Sequence, residues 1–292
     1  MISASLVKEL REKTGAGMLD CKKALEETNG DINAASDWLR EKGISKAAKK
    51  ADRIAAEGIA AIRINGNNAV VVEVNSETDF VAKNDEFKSM VEEVMDVILN
   101  NDVKTNEDVM AQSSSEGTIE DLFINKTAKI GEKLSLRRFE KITKTDSEVF
   151  GDYIHMGGKI AVLTLLDGAD DTVAKDVSMH AAAMRPLYVK SADVPTEELE
   201  KEKSIMKEQL INEGKPADKL DNIIVGKVKK YYEDVCLEDQ VFIKAEDKET
   251  VGKYVSNNKG TIVTMIRYEV GEGMEKREDN FAEEVAAQLE AK

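Results

Sequence analysis

Gly157-Gly158-Lys159 resembles the end of a phosphate-binding loop, a motif that would bring nucleotide chemistry with it. Tyr153 stands where that loop requires its first glycine, and Ile160 follows the lysine where a Ser or Thr would hold magnesium. The sequence therefore excludes a Walker loop. Gly15-Ala16-Gly17 lacks the third glycine of a dinucleotide fingerprint and precedes a helix with no strand before it, so that motif is excluded too.

Metal and covalent chemistry are equally poorly supported. His155 and His180 are 25 residues apart, which is not a short metal-ligand spacing. Cys21 and Cys236 lie far apart, so neither a disulfide scaffold nor a thiolate metal site is indicated. The sequence also lacks the GxSxG and HExxH motifs. We expect no catalytic residues, no metal and no cofactor, and a protein that is not an enzyme.

The charge balance limits the partners. The 292 residues include 42 Lys and Arg against 57 Asp and Glu, a net charge of -15. An acidic surface repels phosphate backbones and anionic lipids, so we expect no direct nucleic-acid partner and no membrane partner. No apolar run approaches the ~20 residues that span a bilayer. The first residues lack the basic-then-apolar order of a signal peptide, which predicts a cytoplasmic protein. A length of 292 residues predicts two or three domains.

The elements that must position any functional residue form a repeat. Near residue 56 the hydrophobic period changes to that of strands, and a hairpin turning at Asn65-Gly66-Asn67 leads to a helix near 84–100. The same pattern recurs 92 residues later without a gap. The paired landmarks are Ile62 with Ile154, Gly66 with Gly158, Ala69-Val70 with Ala161-Val162, Asp79 with Asp171, and Val81-Ala82-Lys83 with Val173-Ala174-Lys175. The sequence therefore predicts two copies of one hairpin-plus-helix unit.

The turn after the first hairpin carries Asp79 and Phe80. An aspartate between a strand and a helix is a good N-cap, and an aromatic residue in a first turn can belong to the core. Asp79 has a counterpart in Asp171, which suits a shared capping role, whereas Phe80 corresponds to Thr172. The ring is therefore specific to the first copy. If it is exposed, it would suit a wedge that enters a groove of a partner.

The N-terminal residues show the helical period in three short stretches. Ser3 can cap the first helix, the second runs from about 18 to 28, and a third begins after Asp31 and is closed by Gly43. This order resembles a ubiquitin-associated-type bundle, which usually binds partners through its first loop and helix ends. Lys50 lies in a locally basic stretch, which is either a solvated helix face or a docking site for an acidic patch.

The predicted fold class is α+β: an N-terminal three-helix ubiquitin-associated-like bundle, a two-subdomain core of repeated hairpin-plus-helix units, an inserted antiparallel helical hairpin and a C-terminal helix. Helices at 196–212 and from Leu220 to Tyr231 form that hairpin, and strands near 240–244 and 260–268 close the core. The apolar seam of the hairpin is narrow and typical of a coiled coil, and either internal pairing or a homodimer would cover it. The predicted domains are the bundle 1–55, core subdomain N 56–145, core subdomain C 146–190 and 236–270, the inserted hairpin 191–235 and a C-terminal module 271–292.

Long strings of the chain resemble the signatures of bacterial elongation factor Ts, in the order in which that family has them. They are Ser5 to Arg11, Thr14 to Leu25, Glu73 to Lys83, His155, Met179 to Ala182 and Tyr268 to Gly273. The departures are Leu19, where a second methionine can occur, and Met156, where glycine is common. The family is the nucleotide exchange factor for elongation factor Tu, the GTPase that delivers aminoacyl-tRNA to the ribosome. The resemblance implies that the chain binds Tu·GDP and expels GDP.

The resemblance also implies roles for individual residues. An exchange wedge would enter the nucleotide domain of Tu beside its magnesium site; its residues would be Thr78, Asp79, Phe80 and Val81. The bundle would hold the same domain, and His155 would touch another domain of Tu. The implied contact residues of the bundle are Arg11, Met18, Lys22 and Lys50. Met274 and Phe281 would add contacts, while His180 and Cys21 are expected in the core.

Two other functions compete with nucleotide exchange. A ubiquitin-associated-type adaptor would bind a partner through the bundle and hairpin without changing nucleotide affinity, and it would have no need of Phe80. A hydrolase using Asp79, Asp171 or His155 would need a shared pocket with perturbed carboxylates, which spacing alone does not establish.

Overall fold

The computed structural model describes residues 2–14 and 16–275, except for the side chains at 12 and 44–46. The described helices are α1 (Ala4–Thr14), α2 (Met18–Glu27), α3 (Ile32–Ala48), α4 (Asp79–Ala82), α5 (Asp85–Asn100), α6 (Asn106–Met110), α7 (Ile119–Ile130), α8 (Asp171–Met184), α9 (Thr196–Asn212), α10 (Leu220–Val235) and α11 (Val251–Asn257). The strands are β1 (Glu57–Asn65), β2 (Asn68–Ser76), β3 (Ser113–Ser114), β4 (Gly117–Thr118), β5 (Ser135–Thr143), β6 (Glu148–His155), β7 (Ile160–Asp167) and β8 (Thr261–Glu269). This mixture confirms the α+β class. The expected C-terminal helix and Phe281 lie outside the described residues.

The described chain divides into two compact units. One holds the residues up to Ile59, those of Val72–Phe139 and those from Val270, and the other holds Ala60–Val71 and Glu140–Glu269. The five predicted domains stay a proposal. No helix within 2–14 or 16–275 is both long and apolar enough to cross a membrane.

The first three helices form the predicted N-terminal bundle. The hydroxyl of Ser3 accepts a hydrogen bond from the backbone N–H of Leu6 at 3.2 Å, and the carboxylate of Asp31 accepts from Asn33 and Ala34 at 2.8 and 2.9 Å. These contacts satisfy N–H groups that a helix start leaves without partners. The buried residues of the bundle core are Val7, Leu10, Cys21, Ala24, Leu25 and Ala35.

The third helix does not end at Gly43, and that part of the prediction is wrong. Helix α3 continues to Ala48, and Gly43 is buried within it. A Cβ at Gly43 would lie 3.6 Å from the Cβ of Ala128, because α3 packs against α7 at this point. A glycine inside a helix costs only about 1 kcal/mol relative to alanine. The packing between the two helices outweighs that cost.

The two predicted repeats have the same topology. The first sheet has the strand order β1-β2-β5 and the second the order β6-β7-β8, so each hairpin is extended by a later strand beside its second strand. Gly66 turns the first hairpin with a φ of 58°, as a tight turn requires. Helices follow at Asp79 and Asp171, which the 92-residue offset had paired.

Helix α8 covers one face of the second sheet. Val162 and Leu166 of β7 pack with Val173, Ala174 and Val177 of this helix. The strands are antiparallel, with Tyr153 opposite Val162 and Leu163 opposite Ile266. The alternation of strand residues and the 3.6-residue period of the helix thus bury one common core.

The inserted hairpin agrees closely with the prediction, since α9 spans Thr196–Asn212 and packs against α10. At its base the hydroxyls of Tyr188 and Tyr231 donate to the carboxylate of Glu198, at 2.6 and 2.5 Å. The Glu198 hydrogen bond raises the pKa of Tyr188 to about 12. These contacts join both helices to the segment that precedes them.

The strand expected near 240–244 is absent, and only Val241 forms an isolated bridge with Thr250. The backbone here bonds to a side chain: the N–H of Ile243 donates to Nδ1 of His180 at 3.2 Å. The other ring nitrogen, Nε2, lies 3.0 Å from Oε1 of Gln240. Because Nδ1 accepts, Nε2 carries the proton and the buried ring is neutral. This is the satisfied core histidine that was expected.

Candidate functional site

The turn that carries Phe80 is a single-turn helix, α4, between strand β2 and helix α5. Helix α4 has four residues, and its N-cap is Thr78, whose side chain does not cap it. Asn84 starts the next helix, because its side-chain oxygen accepts from the N–H groups of Glu86 and Phe87 at 2.8 and 3.3 Å. The chain therefore leaves the strand, makes one helical turn and begins again in a new helix.

The ring of Phe80 lies in solvent. The residue is 80% exposed, whereas Val81 is half-buried and Ala82 is buried. The interpretation of Phe80 as a first-turn core residue is therefore wrong. Lys83 lies over the ring, with its Nζ 5.9 Å from the centroid, and donates to the carboxylate of Asp79 at 2.6 Å. The turn thus presents an aromatic face beside an ion pair.

Asp79 is not the N-cap of its helix, which corrects the capping interpretation by one residue. Asp79 is the first residue of α4, after the N-cap Thr78, and Asp171 is the first residue of α8, after the N-cap Asp170. A carboxylate in the first turn still favours the helix, because it faces the positive end of the helix dipole.

Two carboxylates fasten this turn to the loop between α7 and β5. Glu132 accepts from the backbone N–H of Thr78 at 2.9 Å and from its hydroxyl at 2.7 Å. Glu77 accepts from the backbone N–H of Lys133 at 2.7 Å and pairs with Arg53 at 3.3 Å. Sequence reasoning missed Glu132, since 54 residues separate it from Thr78 and no local pattern connects them.

A groove of about 530 Å³ on the bundle brings together three predicted contact residues, Arg11, Met18 and Lys22. Met18 and its neighbour Leu19 are 61% and 83% exposed, so an apolar surface remains uncovered at the start of α2. The groove is lined by Ile2, Ala4, Val7, Lys8, Arg11, Met18, Leu19 and Lys22. Three cations around exposed apolar side chains suit an acidic, partly apolar partner surface.

Leu19 and Lys8 were missed as members of this surface. The signal was present for Leu19: it lies two residues before Cys21, about 200° around the helix axis from that core residue, so its side chain faces away from the bundle core. Met18 has the helical spacing of the stripe that runs through Cys21 and Leu25, which favours a buried position. The structure buries Cys21 and Leu25 and leaves Met18 exposed.

The remaining predicted residues lie elsewhere. The ammonium group of Lys50 donates to the carbonyl of Gly131 at 2.7 Å. Lys50 therefore contacts the loop that holds the Phe80 turn, and it does not line the groove. His155 ends β6 in the other unit, with its Nδ1 3.2 Å from the hydroxyl of Tyr153. Met274 is half-buried. Within the described residues, no three His, Cys, Asp or Glu side chains are arranged to hold a metal.

A buried carboxylate lies in the strand that leads to the turn. Glu73 on β2 is fully buried and accepts from Arg137 at 2.9 Å, from Arg138 at 2.6 Å and from the N–H of Gly271 at 2.8 Å. Burial alone would raise its pKa, but the Gly271 N–H and the two guanidinium groups outweigh this effect and hold the pKa below its usual value. The carboxylate stays charged and ties β2 to β5.

The family model for elongation factor TS matches residues 77–272. This match covers more than half of the chain and includes the turn with Phe80. The chain belongs to this family. Membership gives it the general nucleotide-exchange role of elongation factor TS in translation and implies binding to elongation factor Tu. The match starts after the bundle, so the groove lies outside the matched residues.

Proposed function

We propose that this chain binds elongation factor Tu·GDP and promotes release of GDP by inserting the exchange wedge, Thr78 to Val81, beside the magnesium site of Tu, so that GTP can rebind. The observation that carries this proposal is the exposure of Phe80 on a one-turn helix. Burying a ring of this size is worth about 1.5–3 kcal/mol, so a partner groove that takes it up gains binding free energy.

The proposed mechanism is a disturbance of the ion that holds the nucleotide. The ring of Phe80 separates packed elements of the partner and displaces ligands of its Mg²⁺, with Asp79 beside it. Loss of the ion leaves the diphosphate unshielded and weakens its hold on the phosphate loop. The exchange factor then binds nucleotide-free Tu more tightly than Tu·GDP. By thermodynamic linkage it lowers the affinity for GDP by the same factor.

One ring cannot supply the whole effect. If all of its burial energy appeared as differential binding, Phe80 would account for one to two decades in affinity, since about 1.4 kcal/mol is tenfold. Inverting a population from 1:99 to 99:1 needs ~5.5 kcal/mol. We propose that the groove on the bundle supplies further contacts to the nucleotide domain through Arg11, Met18 and Lys22, and that His155 contacts another domain of Tu.

Stopped-flow release of a fluorescent GDP analogue from Tu tests this proposal. Wild-type protein should accelerate release strongly, and Phe80→Ala should reduce that acceleration by about ten- to a hundredfold, in line with one buried ring. An unchanged rate in the variant would keep the exchange role and assign its chemistry to the bundle and His155. No acceleration by the wild-type protein would refute the proposal.

The second function is a ubiquitin-associated-type adaptor, favoured by the apolar groove with its cationic rim. Such a protein would bind Tu through the groove without changing its affinity for GDP. Tight binding with no acceleration of GDP release would therefore support the adaptor. In either function we propose a cytoplasmic protein whose partner is a protein surface. We also propose that it makes no direct contact with nucleic acid or membrane, because its net charge is -15.

A further inference from the structure

Helix α4 is too short to be stable by itself. It is one turn long, and isolated helices of this length are unstable in water. Phe80 contributes no packing because its ring is exposed, and among the four residues of the helix only Ala82 is buried. The side chain of its N-cap, Thr78, makes no capping bond. Contacts outside the helix therefore contribute to the direction of the ring.

The hydroxyl and backbone N–H of Thr78 both donate to Glu132, one to each carboxylate oxygen, at 2.7 and 2.9 Å. This bidentate contact fixes the residue immediately before the helix in position and in rotation. The carbonyl of Thr78 is also engaged, since it accepts from the hydroxyl of Ser76 at 2.9 Å. All three hydrogen-bonding groups of Thr78 are thus used to hold the start of the turn.

The loop that carries Glu132 is itself anchored on both sides of that residue. On one side, the carbonyl of Gly131 accepts from Lys50 at 2.7 Å. On the other, the N–H of Lys133 donates to Glu77 at 2.7 Å, and its ammonium group donates to the carbonyl of Arg53 at 3.1 Å. Glu132 is therefore a rigid support for the turn.

We propose that Glu132 is a positioning residue for Phe80: by holding Thr78 through both carboxylate oxygens, it sets the direction in which the ring is presented to the partner. This inference rests on the proposed exchange function. Glu132 itself contacts neither nucleotide nor magnesium. It acts through the geometry of α4, so its removal should change the rate of GDP release at saturation more than the concentration needed for half-saturation.

Three variants separate the effect of the Glu132 charge from that of its two hydrogen bonds to Thr78. Glu132→Ala removes both acceptors, and we expect the GDP release rate at saturating exchange factor to fall about five- to tenfold. Thr78→Ala keeps the backbone N–H and should give an intermediate loss. Glu132→Gln should stay within about twofold of wild type, because its amide oxygen accepts from the N–H and its NH₂ donates to the hydroxyl.

A double-mutant cycle with Phe80→Ala decides whether Glu132 acts through the ring. In that background Glu132→Ala should have no further effect on the release rate, because there is no ring left to position. A loss of equal size in both backgrounds would overturn the inference, and so would a wild-type rate for Glu132→Ala alone.

The matched control is Glu93→Ala. Glu93 accepts from the N–H and the hydroxyl of Ser115, at 2.5 and 2.9 Å, which is the same bidentate contact at another loop of the same unit. It should leave the release rate unchanged, and an equal loss in this variant would show general destabilisation and overturn the positioning role. Failure of the exchange function is distinguishable, because it would appear as no acceleration by the wild-type protein.

Discussion

The two copies of the repeat differ most at the turn between strand and helix. In the second copy the carboxylate of Asp170 caps α8 by accepting from the N–H of Val173 at 2.9 Å, and the helix runs for 14 residues. In the first copy Thr78 occupies the equivalent position, its hydroxyl bonds to Glu132, and the helix stops after four residues. The turn of the second copy starts a long helix, whereas the turn of the first copy exposes an aromatic ring.

This difference shows where the first copy departs from the more stable solution. Its turn gives up a side-chain cap, worth about 1 kcal/mol, and helix continuity, and it leaves an aromatic residue in solvent. Local choices that oppose stability in this way are expected at functional sites. The equivalent of Phe80 in the second copy, Thr172, is polar and exposed, which needs no functional explanation.

The strand before the turn provides the largest expected effect. Glu73 on β2 is a buried charge held by two guanidinium groups, whereas the equivalent residue in the second copy is Leu165. Glu73→Gln removes the carboxylate charge that pairs with Arg137 and Arg138. We expect the free energy of unfolding to fall by about 3–5 kcal/mol, measured by urea unfolding at pH 7.

The pH dependence gives this prediction its control. The pKa of Glu73 is lowered from 4.5 by folding, so the carboxylate contributes stability above pH 4.5 that is lost as the pH falls through its lowered pKa. The difference between wild type and Glu73→Gln should therefore shrink at acid pH. Leu165→Ala should cost stability at every pH, since it creates a cavity and changes no charge. A pH-independent deficit in Glu73→Gln would contradict the assignment.

Exchanging the residues of the two turns tests the wedge directly. Phe80→Thr gives the first copy the residue of the second, and the rate of GDP release should fall by about ten- to a hundredfold in stopped flow. The reciprocal change, Thr172→Phe, should not restore the rate when combined with Phe80→Thr, because α8 is continuous and has no such isolated turn. Recovery in the double variant would mean that the partner accepts a ring from either copy.

Much of this architecture could be predicted from the sequence because it depends on local periodicity. The limits of α9 and the presence of three bundle helices follow from patterns within short windows. The repeat follows from comparing two such windows that lie 92 residues apart. The asymmetry of the turn also followed, since Phe80 corresponds to Thr172. These are features in which local propensity and the final fold agree.

The failures have a common physical origin in contacts between distant residues. Helix α3 passes Gly43 because α7 packs there, and the segment near 240–244 is not a strand because His180 takes one of its N–H groups. Glu132 was invisible for the same reason, since only the fold brings it to Thr78. Tertiary contacts decide such cases, and a single sequence carries no signal for them.

The pH dependence of the free energy of unfolding should also distinguish the two copies, with a smaller effect. The buried ring of His180 in the second copy has a lowered pKa, mainly because of burial, and its neutral Nδ1 accepts from Ile243. The unfolded chain binds the proton more readily, so stability is complete above pH 6.5 and falls below it, by at most about 1.4 kcal/mol per pH unit. The equivalent residue in the first copy is Lys88, which is exposed.

Urea unfolding between pH 7.5 and 5.5 measures this dependence. His180→Gln should lower stability at pH 7.5 and flatten the decline below pH 6.5, because no buried imidazole remains to be protonated. His155→Gln leaves His180 in place and should keep the decline. A decline of the same size in His180→Gln would assign it to other groups.

The smallest effect compares the two N-caps. Asp170→Ala removes the acceptor for the Val173 N–H, so the free energy of unfolding should fall by about 1 kcal/mol while the rate of GDP release stays at the wild-type value. Thr78→Ala should slow GDP release, because its hydroxyl positions the turn and caps no helix. Urea unfolding and stopped-flow release on the same two variants therefore separate the roles. If Asp170→Ala slowed GDP release as much as Thr78→Ala, the second turn would also act on the partner. The asymmetry between the copies would then reflect packing alone.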